Sequence, residues 1–263
     1  MQLFANLLRS VGTATALSAH YYYTGRDHTG RTCQSHCLPP PHTAYATSMT
    51  ATSLSLDRAL ELTRTGDIWL FRGHSVADRA IRITTNSPVN HVGMSVVLDD
   101  LPALIWHAEL GRSLPDMWSG VERRGVQLHN LRDAVLVWAH RYGQQAWLRQ
   151  LNRPATREME DSLLRTIARL DGTPFPSTAA LAGRWLRGRV CLPRRRVAVH
   201  ELESAYCAEI VATTYQSMGL LSQHRSPNWY DPGSFWSGDG LRLSDGYELG
   251  GEIAVQTPAG TQS

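Results

Sequence analysis

The sequence has no run of about 18 consecutive apolar residues, the minimum length that a membrane-spanning helix requires. Four cysteines in 263 residues are too few for the disulfide framework of a small secreted domain. A formal net charge of +3 does not by itself indicate nucleic-acid binding. We therefore expect no transmembrane segment, no disulfide scaffold and no nucleic-acid partner.

Lysine is also missing, so all 26 basic residues are arginines. This bias is typical of a GC-rich coding sequence. The arginines cluster at residues 184–189 and 194–196, inside a stretch that predicts a basic, loop-rich insertion at about 172–202. Most such clusters are simply solvated, but Arg with an interleaved Trp can bind phosphate or anionic headgroups. An anionic surface is therefore one candidate partner of the insertion.

The residues that are present predict one enzyme-sized domain. Hydrophobic residues make up 42% of the chain, with eight Trp and nine Tyr, which suffices for a core. Residues 1–53 are rich in Thr, Ser, His and Pro and predict a flexible, disordered leader. The domain is expected at 54–256 and a frayed tail at 257–263. Because Arg9 interrupts the apolar start of the leader, a secretory signal is weak and a cytoplasmic location is favoured.

Cys207 lies in a segment that predicts a helix over residues 204–220. Ser204 is a natural N-cap, which would place Cys207 at about the third helical position. Free backbone N–H groups and the helix dipole favour a thiolate there. The placement predicts a nucleophile, although a lone Cys on an apolar helix is also typical of a core residue.

A base for this nucleophile is offered by His91, near the start of a strand predicted over residues 90–98. The next predicted strand, 103–110, carries His107 and Glu109 on one face because side chains alternate along a strand. A hairpin between the two strands would bring that face beside His91. Either polar residue can then orient the imidazole, as nucleophilic catalysis by Cys requires.

No metal site and no cofactor are expected. The leader contains two thiols and three histidines without a second ligand pair at a recognised spacing: Cys33, Cys37, His28, His36 and His42. The other histidines lack comparable partners and are predicted to be core or surface residues: His74, His129, His140, His200 and His224. Hydropathy patterns predict further elements: helices at 54–63 and 156–170, strands at 125–131 and 134–142, and edge segments at 231–236 and 247–255.

Several motifs occur in the order typical of one family. They are an opening strand at 65–73, His91-Val92-Gly93, Trp106-His107-Ala108, Tyr206-Cys207-Ala208-Glu209 and Pro232-Gly233-Ser234-Phe235. In the order of these motifs, the chain resembles the circularly permuted NlpC-type papain-like proteins. This family includes the bacterial YiiX-like proteins and is related to lecithin:retinol acyltransferase. The resemblance covers residues 56–255 and implies an α+β fold in which an antiparallel sheet packs against helices.

The resemblance also implies roles. Cys207 would be the nucleophile, His91 the general base and acid, and His107 the third polar residue. Many bacterial relatives have Glu where His107 stands, so Glu109 is a rival orienter. The Cys207 backbone N–H would stabilise the oxyanion, with Tyr206 shaping the pocket. The function implied is a cysteine hydrolase of amide or ester bonds that acts on wall-like peptides or lipid acyl groups. Acyl transfer, or a catalytically silent lipid- or peptide-binding module, stays an alternative.

Overall fold

The computed structural model describes residues 53–74, 86–109, 113–174 and 199–259 together with Arg79 and Arg82. It describes their side chains except those of residues 199–205 and 239. The chain divides into two units, Met1–Thr47 and Ser48–Ser263, and all described residues belong to the second unit. The predicted leader apart from its last residue, most of the predicted insertion and the end of the tail lie outside the described residues.

One seven-stranded sheet organises the described part of the chain. Its strands are β1 (Ser53–Ser55), β2 (Ile68–Arg72), β3 (His91–Val96), β4 (Leu104–Glu109), β5 (Gly125–Asn130), β6 (Gln145–Arg149) and β7 (Ile253–Gln256). Their order across the sheet is β1-β7-β6-β2-β3-β4-β5. All neighbours pair antiparallel except β1 and β7, which run parallel. The predicted hairpin of β3 and β4 is confirmed.

Helices cover both faces of this sheet. They are α1 (Leu56–Leu62), α2 (Leu131–Tyr142), α3 (Arg157–Leu170) and α4 (Val199–Ser217). Ser55 caps α1 and Thr156 caps α3 through their side-chain oxygens. Helix α3 begins at the predicted position, whereas α1 begins two residues later than predicted because residues 54 and 55 belong to β1. Among the described helices, none combines the length and the apolar character needed to cross a membrane. The fold is mixed α+β.

The strand predicted over residues 134–142 is wrong, because this segment belongs to α2. The Asn130 side chain accepts a hydrogen bond from the Asp133 backbone N–H and starts the helix, and Gly143 ends it in the left-handed conformation. The buried residues of α2 recur at helical spacing: Leu131, Ala134, Val135 and Trp138. The β-branched residues favoured a strand locally, and the two caps together with this stripe outweigh them.

The predicted start of the Cys207 helix is also wrong. Helix α4 begins at Val199, so Cys207 is its ninth residue and Ser204 is not the N-cap. The Glu and Leu residues before Ser204 are good helix formers and extend the helix by more than a turn. Because the helix dipole acts mainly within the first turn, it gives little support to a thiolate at Cys207.

The sheet separates two hydrophobic cores. On one face, α3 and α4 pack against the even-numbered residues of β3 and β4. The Trp106 indole N–H donates a hydrogen bond to Thr214 Oγ1 of α4 at 3.0 Å. On the other face, α1 and α2 pack against odd-numbered residues, with Ile105 and Trp138 in the same core. The side on which a strand residue points therefore decides which helix it meets.

Candidate metal centre

Three imidazoles form a row on the α2 face of the sheet. His91 on β3 has its Nε2 atom 3.1 Å from Nδ1 of His107 on β4. The other ring nitrogen of His107, Nε2, lies 3.0 Å from Nδ1 of His129 on β5. His107 and His129 are completely buried, and His91 is 9% exposed. The row thus crosses three neighbouring strands inside the protein.

Strand register brings these rings together. In the β4 and β5 pairing, His107 lies opposite Gln127, and Ile105 lies opposite His129, so His107 and His129 are diagonal neighbours on one face. Gly93 makes room between them and β3. A Cβ atom at residue 93 would lie 2.6 Å from Ile105 Cδ1 and 3.3 Å from His107 Cβ. Because the glycine of the His-Val-Gly motif has no Cβ atom, the His107 side chain fits beside β3.

Aromatic residues cover the row. The Trp138 ring of α2 meets the His91 and His107 rings edge to face, with centroids 5.3 Å and 5.0 Å away. Phe71 of β2 lies 5.9 Å from the His91 ring and 4.7 Å from Trp138. These rings exclude water from His91 and His107 and set the electrostatics of the site.

Burial keeps the three imidazoles uncharged. It lowers the pKa of His91 and of His129 to about 4 and lowers the pKa of His107 well below its ordinary value. A positive charge on one ring would further lower the pKa of the next. The Asp116 carboxylate raises the pKa of His129 but only partly opposes the effect of burial. At neutral pH each ring therefore has a lone pair available for a hydrogen bond or a metal ion.

Glu109 completes the cluster from the same strand as His107. Its Oε2 atom lies 3.7 Å from His129 Nδ1. One potential ligand atom from each of His107, Glu109 and His129 lies within 4.8 Å of the other two, and all three residues are buried. The prediction that His107 and Glu109 share a face is confirmed.

A second layer of hydrogen bonds orients this carboxylate. The Ser113 hydroxyl donates to Glu109 Oε1 at 2.6 Å. The Trp138 indole N–H in turn donates to Ser113 Oγ at 3.1 Å. With Oε1 held by Ser113, Oε2 is the oxygen near His129. The two candidate ligands of β4 therefore each have an orienting partner, Ser113 for Glu109 and His91 for His107, as protein metal sites typically do.

The spacing fits a metal ion. Tetrahedral zinc with bonds of about 2.0–2.1 Å to nitrogen and oxygen separates its ligand atoms by about 3.3 Å. His129 Nδ1 lies 3.0 Å from His107 Nε2 and 3.7 Å from Glu109 Oε2, one distance shorter and one longer than this value. The separation between the ligand atoms of His107 and Glu109 is at most 4.8 Å.

The structure does not bring Cys207 to this row. Cys207 is a fully buried thiol in the core between α4 and the sheet, together with Tyr206 and Val92. His91 and His107 point to the opposite face. The catalytic role of Cys207 and that of Tyr206 stay predictions.

The prediction that His129 lacks comparable partners is wrong, because His129 lies beside His107 and Glu109. Three consecutive strands each carry polar residues on odd-numbered positions, and the antiparallel pairing places those positions on one face. A polar face repeated on adjacent strands inside an apolar core is the signal in the sequence that identifies the cluster.

Comparisons with known proteins assign no family. No protein-family model matches the chain, and no curated protein matches it. Among solved structures it is similar to the metalloprotein yiiX from Escherichia coli O157:H7, at 19% identity and a TM-score of 0.38. The match covers 59% of this chain and 66% of that chain, slightly less than two thirds. YiiX is among the proteins that the sequence resembles, but no family model or curated sequence supports the NlpC-type papain-like assignment.

Proposed function

We propose that this protein binds a divalent transition-metal ion through His107, Glu109 and His129, with Zn²⁺ as the first candidate. The observation that carries the proposal is the convergence of three buried ligand atoms within 4.8 Å of one another. Burying a carboxylate and two imidazoles away from water costs free energy. An ion that is coordinated by all three would offset that cost.

The ligand chemistry selects the ion. Two imidazoles and one carboxylate are a ligand set of catalytic zinc sites, and the same set with open positions suits non-haem iron(II). Both ring nitrogens of His107 are engaged by imidazoles, Nδ1 by His91 and Nε2 by His129. With Nε2 of His107 on the ion, the proton of this neutral imidazole is on Nδ1, which donates to Nε2 of His91 and so sets the orientation of His107.

Three protein ligands leave a fourth coordination position, as catalytic zinc sites do. A Zn²⁺ ion held by these residues would lower the pKa of a bound water molecule to about 7 and would supply a hydroxide nucleophile at neutral pH. Hydrolysis of an amide or ester bond, the reaction class that the sequence resemblance implies, is the chemistry that such a site supports. His107 and Glu109 then act as ligands instead of orienting His91.

The predicted cysteine hydrolase is the second candidate. Its support is the sequence resemblance together with the packing of α4, the helix that carries Cys207, against β3 and β4. In this proposal the fold is the permuted papain-like one, with acyl transfer or silent binding of a peptide or lipid as its variants. The Cys207 thiol would have to reach His91 around the end of the sheet. Rapid alkylation of Cys207 that depends on His91 would favour this candidate.

Competition with a chromophoric chelator tests the metal proposal. The background is Cys33→Ser with Cys37→Ser, so that the leader thiols do not compete for zinc. We expect one zinc ion per chain. The isosteric Glu109→Gln variant should lose more than the about 10- to 100-fold in affinity that removing an orienting partner costs. His224→Gln, which removes an exposed histidine outside the cluster, is the matched control and should bind zinc unchanged.

Two results would overturn the proposal. One is the absence of stoichiometric zinc binding in the parent protein. The other is equal affinity in Glu109→Gln and the parent, with circular dichroism showing that both are folded.

A further inference from the structure

We propose that a surface groove after helix α4 binds a small ligand that joins an anionic group to a flat ring. The groove has a volume of about 580 Å³ and is formed by residues between 221 and 242. This volume is within the range of small-molecule sites, about 300–1,000 Å³. The proposal is independent of the metal centre, since His107, Glu109 and His129 do not line the groove.

Positive charge on the groove is not neutralised within the described structure. Arg225 and Arg242 both line it and are exposed. Neither arginine belongs to an ion pair among the described residues, and the described lining includes no Asp or Glu. A guanidinium presents paired N–H donors that match a phosphate or carboxylate. The groove therefore favours an anion.

An aromatic shelf lies beside this charge. The Arg225 guanidinium carbon is 4.2 Å from the Trp229 ring centre, and the Trp229 and Tyr230 rings meet edge to face at 5.3 Å. Trp229 is 38% exposed, whereas Tyr230 is buried at the floor. An exposed Trp ring next to a guanidinium is suited to a flat ring that carries the anion.

The groove is held in shape before any ligand arrives. The Gln216 amide N–H donates to the Ser222 and Arg225 backbone carbonyls at 2.9 Å and 2.7 Å. On the other side, Asp231 and Ser234 form a reciprocal capping box at the turn Pro232–Phe235. These bonds fix the segments that carry the shelf and the floor, which lowers the ordering cost of binding.

Calorimetric titration with phenyl phosphate tests the proposal. Benzoate carries a carboxylate on the same ring, inorganic phosphate has no ring, and benzyl alcohol has no charge, so the four probes separate the two parts of the ligand. We expect saturable binding of phenyl phosphate or benzoate, and at least tenfold weaker binding of inorganic phosphate and benzyl alcohol. The tighter of the two aryl anions identifies the anion.

Variants locate the binding. Arg242→Gln and Trp229→Leu should each weaken binding of the aryl anion at least tenfold. Arg58→Gln, an exposed arginine of α1 paired with Glu61, should bind as the parent does. Titration of metal-free Glu109→Gln should also match the parent, which separates this groove from an anion on a bound metal. No saturable binding of any probe, or unchanged binding in Arg242→Gln and Trp229→Leu, would overturn the proposal.

Discussion

The Nε2 atom of His107 lies 3.0 Å from the Nδ1 atom of His129, across two neighbouring strands and without exposure to solvent. Two neutral imidazoles at this distance share at most one proton. With the Glu109 carboxylate 3.7 Å from His129, the same atoms form a ligand set for one metal ion.

The metal-free protein should lose stability on acidification. The pKa of His91 and of His129 is about 4 in the folded protein and about 6.5 in the unfolded chain. The unfolded state therefore takes up protons as the pH falls from about 6.5 to about 4, while the folded state does not. Each buried neutral imidazole therefore contributes to the free energy of unfolding, by up to about 3 kcal/mol. This stabilisation is fully present above about pH 6.5 and is lost as the pH falls toward 4.

Urea unfolding between pH 4.5 and 8 measures this loss. His91→Gln should flatten the pH dependence by removing one of the groups, whereas His224→Gln should leave it as in the parent. A parent protein whose unfolding free energy does not decrease below pH 6.5 would contradict the burial of neutral imidazoles.

Gly93→Ala should destabilise the protein by about 1–3 kcal/mol, the usual cost of forcing an extra carbon into a packed core. The new Cβ atom would lie 2.6 Å from Ile105 Cδ1 and would press on His107. Gly251→Ala is the matched control because nothing lies within 4 Å of its added Cβ atom. Chemical denaturation of both variants checks the difference, and equal stability of the two would show that Gly93 is not needed for space.

The strands of the candidate site could be predicted from the sequence, because the apolar alternation around His91 and His107 is local. Trp138 could not be placed, since its segment reads as a strand until the caps at Asn130 and Gly143 are considered together. The pairing of β4 with β5 places His129 beside His107, and strand pairing depends on the whole sheet. The side of the sheet on which Cys207 lies is equally a property of helix packing.

Ser113→Ala should weaken zinc binding by about 10- to 100-fold without abolishing it. The Ser113 hydroxyl links the Trp138 indole to Glu109 Oε1, so its loss frees the carboxylate to rotate. Chelator competition provides the measurement, with Ser162→Ala on α3 as a control outside the site. Affinity that is equal in the two variants would show that Ser113 does not orient Glu109.

Cys207 should react slowly with iodoacetamide in the folded protein, because the thiol is fully buried on the opposite face from His91. Peptide mass analysis can follow the label at Cys207 in folded and urea-unfolded protein between pH 6 and 9. We expect labelling only on unfolding, and no effect of His91→Ala in the folded state. A fast reaction at neutral pH that His91→Ala abolishes would favour the cysteine hydrolase instead.

X-ray absorption spectroscopy of the zinc-loaded protein with Cys33 and Cys37 replaced by Ser tests the central claim most directly. The site of His107, Glu109 and His129 predicts a first shell of nitrogen and oxygen only, at about 2.0–2.1 Å, with the outer-shell scattering of two imidazoles. Glu109→Gln should lose this signal at equal zinc. A sulfur shell at about 2.3 Å, or a spectrum that Glu109→Gln leaves unchanged, would contradict the assignment.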